Sequence, residues 1–285
     1  MMYEFAKSTG LGRWCLRRLE KSGVHESSSR VAAALRVPEE SALILIRHGE
    51  SQWNSKNLFT GCVDVPLTEK GVNEAIEVGK RINELPVDLI FTTALIRAQM
   101  TAMLAMTQHH QQNVPVILHN ESYRARTWSR IFREDTDDEV IPLIAAWQLN
   151  ERMYGELQGL NKKETADKFG VEKVYKRRRS YDNPPPKGES LEMCAKRAVH
   201  YLVEMIIPHI EAEKNIMVAA YGNSLRAIIM YLESLTPQET PFFSSPAGHG
   251  LGANNWEPYA LPLSRNPSSI GEGVPLDQQL LASMR

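Results

Sequence analysis

The tetrapeptide Arg47-His48-Gly49-Glu50 directly follows the short apolar run 42–46 (ALILI). Neutral imidazole is a competent nucleophile near pH 7, and an adjacent arginine offers a planar fork of donors that matches phosphate oxygens. A glycine in the next position lets a ligand come close to the backbone. These residue types in this order suit attack by His48 on a phosphoryl group. Taken alone, three residues recur by chance, so the reading depends on what surrounds them.

The elements that must carry these residues follow from periodicity. The run 42–46 has the fully apolar, β-rich character of a buried strand. Apolar positions at 72, 75, 76, 79 and 82 give 71–84 the helical period. Strands are expected at 87–91, 114–118 and 216–220, with helices at 94–109, 189–207 and 224–235. This alternation implies an α/β chain, three layers in the order α/β/α around a mainly parallel central sheet. In such sheets ligands bind outside the carboxyl ends of the strands, where His48 falls. The sequence Gly222-Asn223-Ser224 opens a helix after the strand 216–220, and free amides there attract phosphate.

Composition limits the partners. The 285 residues carry 33 Lys and Arg against 34 Asp and Glu, a net charge of −1. Bulk electrostatic binding to nucleic acid or to a membrane surface is therefore not expected. No window of about 18 consecutive apolar residues suggests a membrane span. Cys15, Cys62 and Cys194 are widely spaced and form no CxxC pair, which favours neither a disulfide scaffold nor a structural metal site. An anionic ligand must be met by a local cluster of cations. A soluble intracellular home is expected, in the cytoplasm or a plastid.

The two ends differ from the middle. Residues 1–41 carry seven Lys and Arg without sustained periodicity, and are expected to be a disordered or targeting leader. Residues 241–285 hold 11 of the 33 Pro and Gly, and are expected to be an irregular tail. A single enzyme domain over 42–240 remains.

Further blocks surround the histidine motif: RHGESQWN at 47–54, LFTGCVDVPLTEKG at 58–71, LIRA at 95–98, LNERMYGELQGLNK at 149–162, RRSY at 178–181 and GNSLR at 222–226. Over about 42–240 the chain resembles the cofactor-dependent phosphoglycerate mutase family of the histidine phosphatase superfamily. The short link 182–188 looks most like the plant-type members. The resemblance implies a phosphoglycerate mutase-like fold and interconversion of 3- and 2-phosphoglycerate through a phosphohistidine, primed by 2,3-bisphosphoglycerate and needing no metal. It casts His48 as nucleophile and Glu151 as general acid/base, with Arg47 and Arg97 beside the reacting phosphoryl. Lys162, Arg178 and Arg179 supply further cations. Asn54, Thr60, Gly61, Tyr154, Gly222 and Asn223 fix ligand oxygens. Arg152 and Lys163 are taken as solvated neighbours. Partners are then small phosphoglycerates, and self-association is left open.

Two departures stand out. The family places a second histidine immediately before Gly222, where this chain has Tyr221. Tyrosine can donate a hydrogen bond but is neutral and projects further, so impaired catalysis is expected. The tail 241–285 also lacks resemblance to the family, which implies a missing edge strand. Two alternatives follow, a phosphatase of the same superfamily or a catalytically weak phospholigand-binding relative.

Overall fold

A computed structural model describes residues 2–7, 14–19, 41–111, 113–119, 121–128, 139–232, 235–236 and 259–263, with backbone alone at 2–7, 14–19, 259–263 and Arg179. Its strands are β1 (Met2–Lys7), β2 (Trp14–Leu19), β3 (Ser41–Arg47), β4 (Leu89–Thr92), β5 (Val114–Ile117), β6 (Val140–Ala145), β7 (Ile216–Ala220) and β8 (Tyr259–Leu263). They form one sheet in the order β2-β1-β8-β3-β7-β4-β6-β5. The five strands from β3 to β5 in that order pair parallel. Strand β8 runs antiparallel to β3.

The helices are α1 (Gln52–Ser55), α2 (Glu69–Ile82), α3 (Ile96–Met106), α4 (Tyr123–Trp128), α5 (Lys162–Phe169), α6 (Val171–Arg179), α7 (Leu191–Tyr201), α8 (Ile207–Glu211) and α9 (Gly222–Leu232). Alternation along the central strands decides which helix covers which face. Ile44 and Ile46 of β3 and Met217 and Ala219 of β7 pack with Val78 and Ile82 of α2 and with Ala102 and Met106 of α3. Leu43, Leu45, Val218 and Ala220 turn to the other face, against Ile210 of α8 and Leu225, Ile228 and Ile229 of α9. These strands are buried on both sides, so they read as unbroken apolar runs. Burying each Val, Leu, Ile or Met among them stabilises the fold by about 1.5–3 kcal/mol.

Three strands lie in the terminal segments that the sequence suggests are irregular. The irregular leader and tail in fact contribute β1, β2 and β8, and β8 occupies the edge of β3 that was expected to lack a strand. An unpaired edge beside the core presents a row of N–H and C=O groups, and YALPL supplies them with partners. Its Pro262 and the surrounding Pro and Gly hide it from periodicity. The remainder of both terminal segments lies outside the described residues. Strand β6 went unassigned because Pro142 interrupts its run; pairing with β4 begins one residue later, at Leu143.

The loop after β3 meets the start of α2 at two glycines. A Cβ on Gly49 would overlap the Gly71 carbonyl oxygen, and one on Gly71 would overlap the Glu50 carbonyl oxygen. Thr68 caps α2 by accepting from the Gly71 amide at 3.1 Å, and its own hydroxyl lies 3.0 Å from a Glu50 carboxylate oxygen. Substituting Gly71→Ala forces backbone against backbone. Overpacking of this kind costs about 1–3 kcal/mol, so the denaturant midpoint should fall with little change in the slope of the transition.

Candidate active site

His48 stands at the end of β3, and its amide donates to the Ala220 carbonyl of β7 at 3.0 Å. Adjacent central strands therefore fix its backbone. Its Nδ1 lies 2.6 Å from the Gly49 carbonyl oxygen. A carbonyl only accepts, so Nδ1 carries the proton and Nε2 keeps its lone pair. The side chain is buried, which lowers its pKa well below the ordinary value, and the charges of Arg47 and Arg97 act in the same direction. The Gly49 bond opposes them without reversing the result. The product is a neutral imidazole whose Nε2 carries no proton.

Tyr221, the residue after β7, is fully buried. Its ring centroid lies 4.9 Å from that of His48, tilted by 55°. On the ring sits the Arg97 guanidinium, whose carbon is 4.4 Å from the centroid. The Thr93 hydroxyl donates to the Tyr221 oxygen at 3.3 Å. Burial raises the phenol's pKa, against smaller opposing effects of Arg97 and Thr93, so the hydroxyl stays neutral. Arg97 is itself 1% exposed and donates to the Val63 and Gly61 carbonyls at 2.6 and 2.7 Å. Arg47 runs past Gly222, where an added Cβ would come within 3.6 Å of its Nε.

A second group centres on Glu151. Its Oε1 accepts from Asn223 Nδ2 at 2.8 Å and from the Arg152 amide at 2.7 Å. Asn223 also reaches the Tyr154 hydroxyl at 3.4 Å. The β7–α9 junction thus links Tyr221, Gly222 and Asn223 on one side to Glu151 and Tyr154 on the other. Lys162 and Arg178 approach the buried Phe59 ring at 6.0 and 5.7 Å. Thr60 is buried nearby, and its hydroxyl has no protein partner among the described residues. Asn54 bonds locally instead, its side-chain oxygen accepting from the Ser51 hydroxyl at 2.8 Å in the cap of α1. The Arg179 side chain lies outside the described residues.

Arg152 corrects the sequence reading. Far from solvated, it is fully buried, and its Nη2 donates to the Arg178 and Arg177 carbonyls at 2.9 and 3.3 Å. The last carbonyls of a helix lack intrahelical donors, and Arg152 supplies one to the end of α6. Its Nε and Nη1 have no protein partner among the described residues. Lys163 is exposed, as expected. The ion pair Glu189–Arg197, at 2.8 Å, was also missed. A basic residue inside an amphipathic helix has the sequence signature of a solvated face, so no local signal distinguishes it. Among the described residues there is no group of three or more potential metal ligands, and no helix long and apolar enough to cross a membrane.

A family model described as the histidine phosphatase superfamily (branch 1) matches residues 43–121 and 112–248. The 2,3-bisphosphoglycerate-dependent phosphoglycerate mutase 2 of Arabidopsis thaliana is 66% identical over 219 residues, 77% of this chain and 64% of the relative. Mutase 1 of the same plant is 70% identical over 200 residues, 70% of this chain and 60% of the relative. The corresponding mutase of Protochlamydia amoebophila is 58% identical over 197 residues, 69% of this chain and 87% of the relative. The chain therefore spans less than two thirds of the length of the two plant relatives. Among solved structures, the mycobacterial glucosyl-3-phosphoglycerate phosphatase aligns with a TM-score of 0.55 at 20% identity, over 78% of this chain and 90% of that one. The α-ribazole phosphatase of Shigella flexneri gives 0.52 at 20%, over 70% and 83%. At that identity the likeness is one of fold.

The His48 environment sets a pH expectation. Its imidazole should titrate below the ordinary value near 6.5, followed by NMR, and remain neutral at pH 6.5. Arg47→Gln removes one of the charges that depress it and should move the midpoint upward. The unfolded chain takes up this proton near 6.5 while the folded one does not, so His48 makes stability fall as pH drops below that value. A folded midpoint at or above 6.5 contradicts this account.

Proposed function

This chain belongs to the histidine phosphatase superfamily and, within it, to the 2,3-bisphosphoglycerate-dependent phosphoglycerate mutases, and we propose that it interconverts 3- and 2-phosphoglycerate through a phosphohistidine on His48. The observation that carries this reading is the Nδ1 bond to the Gly49 carbonyl, which leaves Nε2 as the nucleophile. When bound, 2,3-bisphosphoglycerate supplies the phosphoryl group that primes the histidine. His48 Nε2 attacks phosphorus as the bond to the leaving oxygen breaks, and Glu151 delivers a proton to that oxygen. In the return transfer Glu151 takes the proton from the accepting hydroxyl. Splitting the isomerisation in this way replaces an internal shift with two in-line displacements.

The residues suit a polyanionic ligand. Thr60 Oγ1, Arg97 Nε and Arg152 Nε and Nη1 are buried donors without protein partners among the described residues. Lys162 and Arg178 add charge above Phe59, and Arg179 joins them by resemblance. Tyr154 and Asn223, which contact each other, are assigned to the ligand's oxygens. Gly222 is assigned to the ligand's oxygens by resemblance, and the Arg47 side chain passes beside it.

Tyr221 weakens this machine. It stands where the family has a histidine, and its neutral, buried hydroxyl accepts from Thr93. Loss of one preorganised donor typically costs on the order of 10²–10³ in rate. Tyr221→His should therefore raise kcat by roughly that factor. The test of the reaction itself is to incubate the protein with labelled 2,3-bisphosphoglycerate and add 3-phosphoglycerate. Acid-labile label on His48 that passes to the acceptor is the expected result. Label lost to water indicates a phosphatase, and absence of label a binding protein. An unchanged kcat in Tyr221→His sinks the account of Tyr221.

A further inference from the structure

We propose that the Glu189–Arg197 pair is a positioning device for Glu151, acting through the backbone of residues 148–153; the proposal rests on the acid/base role given to Glu151 above. Arg197 projects from α7 and is only 9% exposed. All five of its N–H donors are used. Nε and Nη2 grip the two Glu189 carboxylate oxygens at 2.9 and 2.8 Å. Nη1 donates to the Gln148 and Asn150 carbonyls at 2.6 and 2.8 Å, and Nη2 also donates to the Glu151 carbonyl at 2.9 Å. Glu189 completes the ring by accepting from the Met153 amide at 2.9 Å.

The segment these bonds hold has little structure of its own. It leaves a single 3-10 turn at Trp147–Leu149 and enters no strand or helix before the turn at Gly155–Leu157. Buried backbone polar groups in such a stretch need partners from elsewhere. The pair supplies them on both sides of Glu151, while Cys62 Sγ contacts the Glu151 carbonyl at 3.1 Å. The carboxylate itself is held by Asn223 and by the Arg152 amide, while Arg197 bonds the Glu151 carbonyl. Arg197 therefore acts by fixing where the Glu151 main chain sits. Lysine has a single ammonium and no planar fork, so it cannot span the carboxylate and three carbonyls together.

Positioning and mere fold support give different results in Arg197→Lys. An alkyl phosphate leaves as an alkoxide and needs the Glu151 proton, whereas nitrophenolate leaves without one. The variant should lose about 10–100-fold in kcat on 2,3-bisphosphoglycerate, with KM nearly unchanged, and stay within about 2-fold on p-nitrophenyl phosphate. Hydrogen exchange gives a readout independent of turnover. The Arg152 amide, which bonds the Glu151 carboxylate, should lose protection while amides of β7 keep theirs. Glu189→Gln, which keeps the shape and one acceptor, should show the same pattern more weakly.

Equal losses on both esters, or an unchanged alkyl rate, with the Arg152 amide still protected overturn the proposal. If the wild-type chain passes no label to 3-phosphoglycerate but the alkyl-to-aryl ratio still drops in Arg197→Lys, the mutase reading falls and the positioning role stands. Where neither ester is turned over, the Arg152 amide decides alone.

Discussion

A buried guanidinium solvated by backbone carbonyls keeps its positive charge, and the cleft around His48 depends on this. Arg97 rests on the carbonyls of Gly61 and Val63, and Arg152 on those of Arg177 and Arg178. Carboxylate partners would have cancelled the charge. Carbonyl dipoles offset the desolvation penalty without doing so. Arg197 differs, since it is paired with the Glu189 carboxylate as well as with backbone carbonyls. A chain of net charge −1 can in this way keep positive charges beside His48.

The same bonds order the loops. Segments 59–63 and 148–153 are irregular, so their carbonyls find no ladder to join. Arginines from α3 and α7 meet that need, and each ties a loop to a helix packed on the sheet. At Arg97, loop order and the positive charge beside His48 are thus two results of one interaction, and removing its guanidinium would leave two carbonyls unsatisfied as well as take a charge from His48.

How much of this was legible in the sequence follows from the range of each interaction. The strand–histidine junction at 42–50 is local, and apolar runs identified β3, β4, β5 and β7, because a strand covered on both faces has no polar alternation to blur it. Helix α2 declared itself by period. Proline hid β6 and β8, since a missing N–H is tolerated only in particular pairings that sequence does not reveal. The burial of Arg152 and the grip of Arg197 on a segment nearly fifty residues away are products of tertiary convergence. Glu151 and Asn223 were singled out as residues, but their 2.8 Å bond joins positions 72 apart in sequence and had no local signal.

Tyr221 separates stability from chemistry at this site. Its ring packs with Leu95 and Ala98 and lies between Arg97 and His48, so the apolar volume at the end of β7 is filled. Its amide bonds the Ser224 hydroxyl at 3.2 Å, which keeps the start of α9 in place. The tautomer of His48 is chosen by the Gly49 carbonyl and does not depend on residue 221. What a neutral phenol lacks is the second positive charge that a protonated imidazole would bring to a developing phosphoryl anion. Its long side chain also carries the hydroxyl out to Thr93. On the proposed mutase reading the substitution therefore bears on transition-state stabilisation, and leaves intact the His48 tautomer and the packing at the end of β7.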